Sequence, residues 1–157
     1  MEREPRDWIL RIGNGIHFSN SAPRGIWGIN TKHPDGKYFT RGVRPGDRLW
    51  FVRNKTENLL CAVAVFTENM KRETGPLIPL TLTDEDLGWN DTLGEWDTEV
   101  HFKELQNITP LGLQIQKRLA RNSINVYSKE KHGENLPEEF RCIMKYGVVK
   151  PGCPHFQ

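Results

Sequence analysis

A chain of 157 residues and 18.2 kDa has the length of one compact domain, since two separate cores would each be marginal at that size. Apolar residues make up 36 %, with five Trp, seven Phe and three Tyr, which is enough to build a core and excludes a wholly disordered chain although 27 % of the residues are charged. The net charge of +2 excludes little, but the charges are unevenly spread. From Arg24 to Arg53 the cations Arg24, Lys32, Lys37, Arg41, Arg44, Arg48 and Arg53 are opposed only by Asp35 and Asp47, whereas Asp84 to Glu99 is acidic without Lys or Arg. A basic stretch of this kind is the footprint of an anionic partner, and a solvated face with counter-charges folded beside it fits the same count. Cys61, Cys142 and Cys153 form no paired framework, and Cys61 lies in an apolar run as a small core residue, so an intracellular, reducing compartment (cytoplasm or nucleus) is expected. Met1 to Trp8 lacks an apolar signal core, and no apolar stretch is long enough to span a bilayer, so no membrane association is expected.

In chain order, Trp8, Leu10 and Ile12 alternate with Ile9 and Arg11, the period of a first strand that ends in the turn-forming Gly13-Asn14-Gly15. Ser19 to Arg24 reads as a short polar stretch, Gly25 to Ile29 as a brief apolar segment, and His33-Pro34-Asp35-Gly36 as a turn. A hairpin follows: the turn Arg44 to Asp47, a strand from Arg48 to Arg53, a polar loop from Asn54 to Asn58, and an apolar strand from Leu59 to Phe66 that belongs in the middle of a sheet. Thr67 to Thr83 contains Gly75, Pro76 and Pro79 and cannot be a long helix, whereas Glu95 to Leu105 alternates again, with Trp96, Val100 and Phe102 inward against Glu99, His101 and Lys103. From Pro110 the pattern fits a strand or a helix face, and a strand followed by a short basic helix over Lys117, Arg118 and Arg121 is the preferred reading. A further helix is predicted from Leu136 to Tyr146. Short strands broken by turns predict an α+β fold, a curved sheet or small β-barrel with a few short helices around it.

The order of strand, polar turn, Gly25-Ile26-Trp27, Pro45-Gly46-Asp47 turn, strand and buried strand resembles the PUA-like superfamily, in particular its EVE and YTH branches. Arg44 to Phe51 is similar to the EVE pattern of a Gly-Asp turn entering an aromatic strand, and Leu60 to Val65 to the strand after it. Gly25-Ile26-Trp27 stands where YTH domains carry an Ile/Val-Trp pair, Gly75 to Ile78 is similar to their Gly-x-Pro-Ile segment, and Lys103-Glu104-Leu105 to the end of a later strand. The resemblance covers about Asp7 to Pro110 and divides the chain into a base-recognition domain over 1–122 and a C-terminal extension over 123–157. It implies a binding module without catalysis, in which Trp27 walls a pocket for an unpaired base, plain or methylated. Where YTH domains have a second pocket Trp this chain has Pro79, so the opposite wall would come from Trp89 or Trp96.

A flipped base offers two apolar faces and a polar edge, so its receptor needs an aromatic wall and fixed donors and acceptors. Trp27, Ile26 and Gly28 supply the wall and backbone, and Asn14, Ser19, Asn20 and Ser21 the amides and hydroxyls that read an edge, although residues of these types also form turns and caps. Arg11, Arg24, Lys32, Lys37, Arg41 and Arg44 are the phosphate-binding candidates, with Lys71, Arg72 and the later basic residues behind them. The expected partner is single-stranded or locally unpaired RNA or DNA. Trp8 and Trp50 read as core. His17, His33, His101, His132 and His155 are scattered, no zinc spacing, nucleophile elbow or phosphate-binding Gly-rich loop is present, and no cofactor, metal or catalytic residue is expected. Two other classes fit the chain: a protein-interaction domain that retains the fold, and an enzyme acting on nucleic acid or nucleotides through the carboxylates of Asp84 to Asp97.

Overall fold

The computed structural model describes residues 5–55, 58–72, 86, 89, 96–115 and 121–127. The first strand, β1 (Asp7–Arg11), is followed by a short helix α1 (Ile16–Ser21), a 3-10 turn at Ala22–Arg24, strand β2 (Ile26–Ile29) and helix α2 (Pro34–Gly42). Then come β3 (Arg48–Arg53), the long β4 (Leu59–Lys71), β5 (Thr98–Asn107), a 3-10 turn at Thr109–Leu111, and β6 (Ile124–Tyr127). The strands make one six-stranded sheet in the order β2-β5-β4-β3-β1-β6, antiparallel throughout except for the parallel pair β1 and β3. This is the expected α+β class with a curved sheet, and the apolar strand beginning at Leu59 does lie inside it, flanked by β3 and β5.

The core fills the concave side of the sheet, where Trp8, Leu10, Phe18, Trp27, Phe39 and Phe51 are all buried. Ile9, Trp50 and Val52, on the opposite face of β1 and β3, are fully buried as well, so these strands are apolar on both sides. Two buried carboxylates brace the parallel pair. Asp47 accepts hydrogen bonds from the Trp8 indole N–H and from the Arg6 and Arg44 amides, each at 3.0 Å, and Asp7 accepts from the Trp50 indole at 3.0 Å and from Arg48 Nε at 2.7 Å. The Arg44 to Asp47 turn is closed by the Asp47 amide donating to the Arg44 carbonyl at 2.9 Å, with Gly46 at φ 94, the geometry its Pro-Gly sequence favours.

One expectation is refined and one corrected. The short polar stretch Ser19 to Arg24 ends α1 and forms the 3-10 turn, and within it only Ser21 and Ala22 are buried, too few for a helical period to show. His33 to Gly36 opens α2 instead of forming a free turn, because Pro at the first helical position and an acid in the first turn start a helix as readily as they make a turn. Phe39 then anchors α2 edge-on to Trp8, with ring centroids 5.1 Å apart. Three further expectations moved in extent or register. β4 runs on to Lys71, the strand read from Glu95 begins at Thr98, and Glu99 is 1 % exposed instead of facing outward. No strand was expected at Ile124, yet β6 pairs with β1 along Asp7 to Leu10. The basic helix over Lys117 and Arg118, the helix from Leu136 to Tyr146, the segment Gly75 to Ile78 and most of the acidic run lie outside the described residues.

Candidate functional site

β2 and β6 stand at opposite ends of the sheet order, yet both line one cavity of about 260 Å³. The sheet therefore curls until its two edges face each other across a seam, as in a barrel that stops short of closing. α2 holds the seam from one side: the Ser123 amide and hydroxyl donate to Asp35 Oδ2 at 3.2 and 2.6 Å, tying the helix's first turn to the start of β6. Gly36 seats that turn, since a Cβ there would collide with the Asn30 carbonyl oxygen. Trp27, Ile29 and Ile124 give the cavity apolar walls, and Arg11, Asn30, His33 and Ser123 give it polar groups.

Trp27 is 8 % exposed and packs edge-on against Phe18 in the core, with centroids 5.8 Å apart. Its indole N–H has no hydrogen-bond partner among the described residues, unlike those of Trp8 and Trp50. Trp96 also borders the cavity; its ring centroid is 6.5 Å from that of Trp27 and the planes are inclined by 34°. Trp89 is a different kind of residue. It is 1 % exposed, stands at 84° to Trp27, donates to the His17 carbonyl at 3.3 Å and does not line the seam cavity.

Ile26 and Gly28 face the side of β2 opposite the Trp27 core contacts, where Ile26 clusters with Trp89 and Trp96. A Cβ on Gly28 would sit 2.8 Å from the Trp89 ring and 3.0 Å from Trp96, so this glycine provides the close approach of both indoles to the strand. Beneath Trp89 lies a buried charge network: Glu99 reaches His101 Nε2 at 2.8 Å and Arg72 Nε at 3.4 Å, and the Arg72 guanidinium sits over the Trp89 ring at 5.5 Å. The inward turn of Glu99 is explained by these two partners. Asp97, next to Trp96, accepts from the Thr31 amide at 3.0 Å, the Thr31 hydroxyl at 2.8 Å and the Thr98 hydroxyl at 3.0 Å. Burial works against its ionisation, but these hydrogen bonds and the charge of Lys32 outweigh it and hold its pKa below the usual aspartate value. Asp97 thereby fixes the Trp96 end of the site to the loop after β2.

The polar candidates are divided between places. Asn14, Ser19 and Asn20 border a second cavity of about 540 Å³ on the far side of the β1 terminus, together with Arg53, Leu105 and Asn107. Asn14 also caps the start of α1 by accepting from the Ile16 amide at 3.0 Å, and Ser21, fully buried, donates to the His17 carbonyl at 3.3 Å and reaches neither cavity. Among the cations, Arg11 lines the seam, and Lys32 and Lys37 are exposed beside the α2 N-terminus. Arg24 is exposed next to Pro23, a residue of the second cavity. Arg41 and Arg44 belong to the other end of α2, where Arg44 donates to the Arg41 and Val43 carbonyls at 3.1 and 2.9 Å. His33, Ser123 and Ile124 are not marked as site residues by the sequence, which points to Asn30 only through the Ile26 to Asn30 backbone as a reader of the base edge. Nothing local marks residues that meet across a seam.

Cys61, at the floor of the second cavity, is a free thiol whose burial pushes it up to about 11, opposed in part by the Arg53 amide and charge. It is a neutral thiol at physiological pH. Among the described residues no three His, Cys, Asp or Glu side chains gather as metal ligands, and no helix is long and apolar enough to cross a membrane.

Several solved structures are similar to the chain, two of them as follows. One is a hypothetical protein from Leishmania major, at 14% sequence identity and TM-score 0.44 over 83% of this chain and 91% of that one. The other is the Pho92 YTH domain in complex with m6A, at 16% identity and TM-score 0.49 over 96% of this chain and 87% of that one. No protein-family model and no curated protein sequence matches the chain.

Proposed function

We propose that the protein is a non-catalytic reader of RNA or DNA that holds one unpaired base, plain or methylated, in the seam cavity between Trp27 and Trp96. The observation that carries this reading is the pair itself: two indoles on one small cavity, 6.5 Å apart and inclined by 34°. A flat ring in contact with both needs about 7 Å between their planes, so a modest outward turn of the partly exposed Trp96 makes a sandwich. Trp89, perpendicular and buried, serves as the support that Trp96 leans on, not as the second wall. Arg11, Asn30, His33 and Ser123 are the groups within reach of the base edge, and the unpaired indole N–H of Trp27 is a further donor. Gly28 contributes backbone: β2 is an edge strand, so its groups that point away from β5 have no strand partner. Arg11, Lys32 and Lys37 flank the seam and are the phosphate contacts this reading favours. The ordered sequence likeness to EVE and YTH domains agrees with it, and an intracellular, reducing setting suits Cys61, a free thiol in the core.

The test is a tryptophan-fluorescence titration with short single-stranded RNA and DNA, unmodified or carrying methylated adenine or cytosine, on the unaltered protein and on Trp96→Ala. Stacking on one indole contributes about 1 to 3 kcal/mol, so the variant is expected to bind about ten- to a hundredfold more weakly while keeping its unfolding midpoint within a few degrees. Equal affinity in the two proteins would remove the seam cavity as the base site.

A further inference from the structure

The second cavity is twice the size of the seam cavity, and two features of it are not demanded by packing. Its lips are Ile16, 61 % exposed, and Leu105, 38 % exposed, two of the three large apolar side chains that the described residues leave in solvent. Leu105 reaches that position through a bulge. Between the register pairs Val65 with Lys103 and Val63 with Gln106, β5 holds one residue more than β4, and Glu104 takes φ 54, a conformation that residues other than glycine seldom adopt. Bulges of this kind re-aim a side chain, and here the re-aimed side chain lines the cavity.

The chemistry of the walls is mixed. Ile12, Phe18 and Ala62 are apolar and buried, whereas Asn14, Asn20, Asn107, Ser19 and Thr109 offer amides and hydroxyls around the rim. Arg53 brings a positive charge inside, its stem passing where Gly15 has no side chain, 3.2 Å from a notional Cβ. Arg24 is an exposed cation next to the lining residue Pro23, and Glu104 is an exposed carboxylate beside Leu105. Apolar faces, neutral donors and acceptors, and the guanidinium of Arg53 match a base, its sugar and its phosphate in turn. The size fits as well: 540 Å³ lies within the usual range of small-ligand cavities, about 300 to 1,000 Å³, whereas 260 Å³ suits a bare base.

Position links the two. Arg11 lines the seam cavity and Ile12 the second, with Cα atoms about 3.8 Å apart, so the end of β1 is shared by the walls of both cavities. We infer that the second cavity is a subsite for the nucleotide adjacent to the captured base, and that the protein reads two neighbouring nucleotides, one on each side of the β1 terminus. This rests on the base-reading function proposed above. It gives Asn14, Ser19 and Asn20 a ligand of their own, separate from the base held between the indoles.

The experiment compares a nucleoside monophosphate with the dinucleotides that extend it on the 5′ or the 3′ side, by calorimetric titration of the whole protein and of an Ile16→Ala/Leu105→Ala variant. Both side chains are solvent-exposed, so the variant should keep its thermal midpoint, and Arg53→Gln serves as a second, independent probe. One of the two extensions is expected to raise affinity by about tenfold or more, with most of that gain lost in either variant and the monophosphate affinity unchanged. Photocrosslinking with 5-iodouracil in the added nucleotide should label the segments 14–20 or 105–109. A gain that persists in both variants, or no gain on extension while the monophosphate still binds and depends on Trp96, overturns the second subsite and leaves the seam site standing. Failure of every nucleotide and oligonucleotide to bind overturns both.

Discussion

Two pairs of tryptophans in this protein are built in opposite ways. Trp8 and Trp50 are fully buried, and each gives its indole N–H to a buried aspartate, Asp47 or Asp7, that also ties β1 to β3. Trp27 and Trp96 face a cavity; Trp27 has no hydrogen-bond partner for its indole among the described residues, and Trp96 is only partly buried. A tryptophan whose indole donor is left for something outside the protein is a better candidate for binding than one whose donor is used inside it.

The comparison breaks most visibly at its structural end. Asp47→Ala strands the buried Trp8 indole and two partly buried amides, and is expected to lower the unfolding free energy by about 3 to 4 kcal/mol in a denaturant titration without any specific effect on base recognition. Trp27→Ala sharpens it from the other end. Because Trp27 also packs on Phe18 in the core, the truncation should cost about 4 kcal/mol of stability as well as binding, so Trp96 is the residue that separates the two effects, as tested above. The smallest effect concerns the support of Trp96. Asp97 has a folded-state pKa below the ordinary 3.8, so the unfolded chain binds its proton more readily than the folded one. Its contribution is present above pH 3.8 and is lost as pH falls through the lower folded value; in Asp97→Asn that part of the acid-induced loss should be missing from urea titrations run between neutral pH and pH 3.

Much of the frame was legible in the sequence because it is local. Alternation marked β1 and β5, aromatic and aliphatic content marked β3 and β4, Pro45-Gly46 marked the turn, and Trp8 and Trp50 were read as core. The helices were missed because α1 buries too few side chains to show a period, and because Pro34-Asp35 is common to turns and helix starts. Glu99 defeated the alternation rule through partners 27 residues before it and two after it, Arg72 and His101. Of the candidate site, Trp27 was found by likeness and the choice between Trp89 and Trp96 stayed open, since a ring angle is not a property of sequence. His33, Ser123 and Ile124 join Arg11 only when distant strands meet, and Asn14, Ser19 and Asn20, close to Trp27 in the chain, border another cavity because α1 and its 3-10 turn lead the chain away from β1 before β2 begins.

The seam has a further consequence. Among the described residues β6 has four residues and pairs with β1 alone, yet Ser123 and Ile124 at its start form part of the cavity wall, and the hydrogen bonds from Ser123 to Asp35 hold it in place. Peeling that one strand away would dismantle the wall while leaving the central ladders of β3, β4 and β5 paired, a local opening far less costly than global unfolding. A molecule seated across the seam would act as a stitch between the first and last edges of the sheet. Amide protons of β1 and β6 should then exchange more slowly with solvent in its presence, while those of β3 and β4 stay as they were.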